Sequence, residues 1–114
     1  SIRDTSVRKN RKENFYHGIL LGLLNYDREW IVTSNAEFGD GYSDILIEME
    51  DEERGIVIEV KYADNGDLDA ACQEALEQIR EKNYREKLLL NGLDPIMTFG
   101  IACCRKRCRV MRGE

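Results

Sequence analysis

One proline, one histidine and one tryptophan occur in 114 residues, and long apolar runs are missing altogether. The longest apolar helical stretch, Ile19 to Leu24, is far too short to span a bilayer, and no secretory h-region is present. A chain that is 42% apolar and 34% charged with so little proline is not a disordered one. It reads as a single compact, soluble α/β domain over residues 1–114, large enough for a real core but not for two. The first residue is Ser1 rather than methionine, as expected of a piece cut from a longer protein. The single histidine, His17, lies far from the four cysteines, and the run Cys103-Cys104-x3-Cys108 is not a usual zinc spacing. Reduced thiols filling a core are favoured over a structural metal site, and they indicate a cytoplasmic setting.

The net charge of −5 hides an asymmetry. Arg3, Arg8, Lys9, Arg11 and Lys12 crowd the start, Arg105, Lys106, Arg107, Arg109 and Arg112 crowd the end, and the middle is strongly acidic. Two readings stay open: solvated ends, or a phosphate-binding rim around an acidic centre able to hold a cation.

Apolar spacing predicts a helix from Asn10 to Tyr26, with Phe15, Ile19, Leu20, Leu23 and Leu24 on its core stripe and Gly18 and Gly22 allowing close approach to a sheet. Trp30 to Asn35 reads as a strand, ended by a Gly39-Asp40-Gly41 turn. Asp44–Met49 and Ile56–Tyr62 read as a hairpin around an acidic turn. A helix starting near Leu68 runs to Leu90, bent near Asn83; Ile96–Cys104 and Cys108–Arg112 are two further strands around a basic turn. The order α-β-β-β-α-β-β, with strands three and four parallel across a helical crossover, gives a mixed central sheet flanked by helices.

The run Ile56-Val57-Ile58-Glu59-Val60-Lys61-Tyr62 poses a physical problem. Alternation puts Glu59 and Lys61 on one face with Val57, and charge buried there is costly unless it is paired or binds an ion. With the hairpin turn near residues 51–54, Asp44 falls roughly opposite Glu59 to Lys61. Two carboxylates with backbone carbonyls and water suit a hard divalent ion, and a neighbouring lysine can steady a phosphate.

Asp44-x14-Glu59-Val60-Lys61, in this element order, resembles the PD-(D/E)XK nuclease superfamily, although Ser43 stands where the name has proline. The segments Glu13–Gly18, Gly39–Asp44, Glu74–Ile79 and Gly100–Ala102 resemble one branch of it, found behind an AAA-type ATPase-like domain in many bacterial proteins. The resemblance implies a restriction-endonuclease-like core. It also implies Asp44, Glu59, the Val60 carbonyl and Glu13 as ligands of Mg²⁺ or Mn²⁺, Lys61 as the catalytic lysine, and Gln78 as a polar residue facing the site. A tyrosine that often follows that glutamine by four positions is replaced by Lys82, with Tyr84 two residues later.

Each residue also has a structural reading. Glu59 and Lys61 would form a plain salt bridge, Asp44 would end a glycine turn, Glu13 would be a solvated first-turn acid, and Gln78 a helix-surface amide. His17 is either a packed histidine or a phosphate contact, and Arg105, Lys106 and Arg107 are the candidate nucleic-acid contacts. The expectation is a Mg²⁺- or Mn²⁺-dependent nuclease acting on DNA, with an ATPase-like domain in the same longer chain and a homodimer as possible partners, and no membrane. The alternative is an inactive nuclease-like binding or output module.

Overall fold

The computed structural model describes residues 2–25, 29–34 and 44–114. The expected Gly39-Asp40-Gly41 turn and the ends of the first helix and first strand, Tyr26 and Asn35, lie outside the described residues. Helix α1 (Ile2–Leu24) is followed by strands β1 (Ile31–Ser34), β2 (Asp44–Met49) and β3 (Arg54–Tyr62). Helices α2 (Leu68–Lys82) and α3 (Tyr84–Leu90) precede β4 (Ile96–Cys104) and β5 (Arg107–Arg112). The five strands form one sheet in the order β1-β2-β3-β4-β5. β3 and β4 run parallel and every other neighbouring pair is antiparallel, which is the mixed sheet flanked by helices expected from the element order.

Each face of the sheet carries its own core, because strand side chains alternate. On one face Leu46 and Val57 pack with Leu76 and Ile79 of α2 and with Leu88, Leu93 and Ile96. On the other, Ile45, Ile47, Ile58 and Val60 meet Tyr16, Leu20, Leu21 and Leu24 of α1.

The first helix departs from expectation. It begins at Ile2 rather than Asn10. Its inward stripe is Glu13, Tyr16, His17, Leu20 and Leu24, which keeps Leu20 and Leu24 of the expected stripe. Phe15, Ile19 and Leu23, expected in the core, are 63%, 49% and 69% exposed. A Cβ added at Gly18 or Gly22 would meet nothing within 4 Å, so these glycines do not serve a close approach to the sheet. Apolar residues occupy two adjacent stripes of α1, and periodicity alone cannot choose between them.

The second helical stretch is two helices. Asp67 caps α2 by accepting from the Ala70 N–H at 3.1 Å, and Asn83, at φ 55°, stops it in the left-handed conformation that asparagine tolerates better than most residues. α2 lies close to β4 at Gly100, where a Cβ would stand 2.5 Å from the Cys72 carbonyl oxygen. Only glycine permits that approach. All four cysteines are free, but only Cys72 and Cys103 are buried; Cys104 is half-buried and Cys108 is exposed, so the reading of all of them as core thiols is corrected. Among the described residues no helix is long and apolar enough to cross a membrane.

Candidate active site

The hairpin of β2 and β3 sets the site. Asp44 pairs directly with Glu59, so the first residue of one strand and a residue near the end of the other share a face. Both are fully buried, and Lys61, two residues on along that face, is nearly so. Lys61 Nζ lies 3.7 Å from Glu59 Oε1, an ion pair shielded from bulk water.

α1 brings a third acid. Glu13 is 1% exposed and its Oε1 accepts from the Tyr62 N–H at 3.3 Å, beside Lys61. Burial pushes its carboxyl above the ordinary range, against the pull of the Lys61 ammonium and the Tyr62 hydrogen bond. Burial likewise pulls Lys61 down, while Glu13 and Glu74 hold its proton on. These opposed effects identify a charge cluster placed where water is scarce, which functional sites favour.

α2 supplies the opposing wall. Glu74, Gln78 and Lys82 recur every four residues and so lie along one side of the helix. Lys82 Nζ donates to Asp44 Oδ2 at 2.8 Å. Gln78 Oε1 is buried with no hydrogen-bond partner among the described residues. Lys82 and Glu74 were not singled out from the sequence as site residues. Their spacing from Gln78 was the available signal, but the partners lie far away in sequence and only the fold supplies them. Tyr84, two residues beyond Lys82, packs against the core under α2, and Lys82 Nζ stands 5.9 Å from its ring centre.

The two basic ends meet beside this cluster. A cleft of about 750 Å³ is lined by Lys12, Tyr62, Asp64, Asn65, Gly66, Cys104, Arg105, Lys106 and Arg107. Lys12 Nζ donates to the Tyr62 hydroxyl at 2.9 Å, and the Tyr16 hydroxyl donates to the Arg105 carbonyl at 2.6 Å, which ties α1 to the basic turn. His17 sits elsewhere: it is buried, with Nε2 2.6 Å from Ser34 Oγ, and it joins α1 to β1. That placement fits the packed reading of His17.

The donor set suits a hard divalent cation. Asp44 Oδ1 and Glu13 Oε2 are buried oxygens without a hydrogen-bond partner among the described residues, and both are hard carboxylate donors. No three His, Cys, Asp or Glu side chains among the described residues stand close enough to share one ion. Mg²⁺ needs only one or two carboxylates when substrate oxygens and water complete its shell, so the Asp44–Glu59 pair fits.

A family model described as the PD-(D/E)XK nuclease superfamily matches residues 11–113. Neither the curated proteins nor the solved structures give a match.

Proposed function

The chain belongs to the PD-(D/E)XK nuclease superfamily, and from that premise we propose that it is a Mg²⁺- or Mn²⁺-dependent nuclease hydrolysing DNA phosphodiester bonds. The observation that carries this reading is the direct pairing of Asp44 with Glu59 on a face shared with buried Lys61. A fold built only for stability would place apolar residues there, since a buried ion pair is often no better than a well-packed apolar replacement.

Asp44 and Glu59 would hold the ion, with the Val60 carbonyl as a further ligand, while Glu13, whose Oε2 has no hydrogen-bond partner among the described residues, would reach it only through a bound water. When bound, the ion supplies positive charge that lowers the pKa of a water and offsets charge growing on the phosphate. Lys61 places its Nζ against a phosphate oxygen and stabilises the extra negative charge of the transition state. Its proton affinity, lowered by burial and only partly held up by Glu13 and Glu74, suits a group that holds a proton while charge shifts nearby. Gln78, whose buried carbonyl oxygen has no hydrogen-bond partner among the described residues, would accept a hydrogen bond from the attacking water. Lys12 and the Arg105-Lys106-Arg107 turn hold the strand's phosphates in the adjoining cleft, where their charge sets affinity without reading sequence.

The test is cleavage of supercoiled plasmid and of labelled RNA with Mg²⁺, with Mn²⁺ and with EDTA. Metal-dependent cleavage of the plasmid that Asp44→Asn abolishes and Lys61→Ala lowers by ~10²-fold supports the reading. Cleavage that survives both substitutions, or none by wild type with either ion, refutes it, and cleavage of RNA alone moves the substrate class.

A further inference from the structure

Two of the four thiols form a matched pair outside the charge cluster. Cys103 and Cys108 are direct partners in the antiparallel β4–β5 ladder, and the Cys108 thiol donates to Cys103 Sγ at 2.9 Å. Antiparallel partners have Cα atoms about 4.5–5.5 Å apart, within the roughly 4.4–6.8 Å that a disulfide spans. A bonded pair needs a sulfur separation of about 2.05 Å, so side-chain rotation alone suffices and the strands need not move. The two cysteines also differ in access. Cys108 is exposed, whereas Cys103 is 3% exposed and pairs with Tyr62 across the parallel ladder.

We propose that Cys103 and Cys108 are a dithiol oxidation site, with Cys108 the peroxide-reacting thiol and Cys103 the resolving one, and hydrogen peroxide as the oxidant. The Cys108 sulfur attacks one peroxide oxygen; an S–O bond forms, the O–O bond breaks, and the departing oxygen takes the thiol proton and leaves as water. The Cys103 sulfur then attacks the Cys108 sulfur; the S–S bond forms, the S–O bond breaks, and hydroxide leaves as water with the Cys103 proton. Two thiols lose two electrons in all, and one peroxide becomes two waters. Burial and the Cys108 contact push the Cys103 thiol up to about 12, so it retains the proton that the second step releases. Cys104, the neighbour of Cys103, points to the opposite side of β4 and has no part in the bridge.

The bridge closes around Arg105, Lys106 and Arg107, the residues that line the basic cleft. Trypsin cuts inside that turn, so the two cysteines leave on one linked peptide pair only if they are bonded. The experiment treats the reduced protein with limiting hydrogen peroxide, counts thiols after denaturation and maps tryptic peptides. The expected result is two thiols remaining of the original four, a mass lower by two hydrogens, and a linked pair joining Cys103 to Cys108 that dithiothreitol separates. The Cys72→Ser/Cys104→Ser double variant should form the same bridge. Cys103→Ser should stop at a dimedone-trappable sulfenic acid on Cys108, and Cys108→Ser should keep all of its thiols at that dose. A bridge through Cys72 or Cys104, a disulfide joining two chains instead, or no thiol loss in folded wild type would overturn the proposal.

Discussion

Lys82 occupies a position that a metal ion would contest. Its ammonium is 2.8 Å from Asp44 Oδ2; the Asp44 side chain is 1% exposed and that of Lys82 is 22% exposed. Removing one partner of a buried ion pair costs about 3–5 kcal/mol, because the remaining charge stays desolvated. Lys82 is in partial contact with water, so the low end, about 3 kcal/mol, applies to Lys82→Met, which keeps the aliphatic stem. For a domain of this size 1 kcal/mol moves the melting temperature by roughly 4 °C, so the metal-free variant should melt roughly 12 °C lower than wild type. A divalent cation narrows the gap. At a free concentration about 100 times its dissociation constant, an ion binding only the folded state adds about 2.7 kcal/mol. In wild type part of that gain is offset by displacing the Lys82 ammonium; in Lys82→Met it is not. The Mn²⁺-induced rise should therefore be several degrees larger in the variant, and adding Asp44→Asn should abolish it. The assay is a thermal melt of wild type, Lys82→Met and Lys82→Met/Asp44→Asn with Mn²⁺ and with EDTA. Equal Mn²⁺ shifts in wild type and Lys82→Met would refute competition at Asp44.

Glu13→Gln tests the cost of the buried acid. Its folded-state pKa is raised above 4.5, so the acid favours folding below that pH and the contribution is lost as pH climbs through the raised value. The metal-free variant should thus melt higher than wild type near pH 7 and match it near pH 4; an advantage independent of pH would refute the cause. Replacing Arg105, Lys106 and Arg107 with alanine should weaken DNA binding and lower its salt slope by roughly one unit for each phosphate they no longer neutralise, measured by fluorescence anisotropy across salt. An unchanged slope moves the binding surface away from the cleft. Gly100→Ala would force a Cβ to 2.5 Å from the Cys72 carbonyl, which should cost about 1–3 kcal/mol in urea unfolding as α2 is displaced. A neutral result would mean that α2 does not depend on that close approach.

The strand hairpin was legible because its turn fixes its register. With the reversal read near residues 51–54, Asp44 fell roughly opposite Glu59 to Lys61, and the structure narrows that range to Glu59. The parallel β3–β4 pair followed from the length of the helical crossover. The face of α1 was not legible in the same way. Tyr16, Leu20 and Leu24 lie on one stripe and Phe15, Ile19 and Leu23 on the next, and apolar spacing fits both. The polar residues decide it, since Glu13 and His17 share the inner stripe. Read alone, two polar residues on a helix argue for the solvent side, and only their buried partners, the Tyr62 N–H and Ser34 Oγ, reverse that argument.

Lys82 shows where local reading ends. It stands at a helix C-terminus, where a cation is favourable against the helix dipole and needs no other reason. Its bond to Asp44 joins residues 38 apart in sequence, and three separate features must hold for it to form. Asp67 must start α2 at the right residue, Asn83 must end it there, and Gly100 must let the helix lie against β4. Each is a turn or packing residue that a sequence presents as punctuation. Together they set the four-residue repeat of Glu74, Gln78 and Lys82 over the strand face of Asp44, Glu59 and Lys61. Shifting α2 by one residue along its own sequence would rotate that polar row about 100° and turn apolar Ala75 and Ile79 toward the charges. The caps of α2 therefore act on the charge cluster as directly as the charged residues do, and substitutions at Asp67 or Asn83 belong with those of the site when its chemistry is measured.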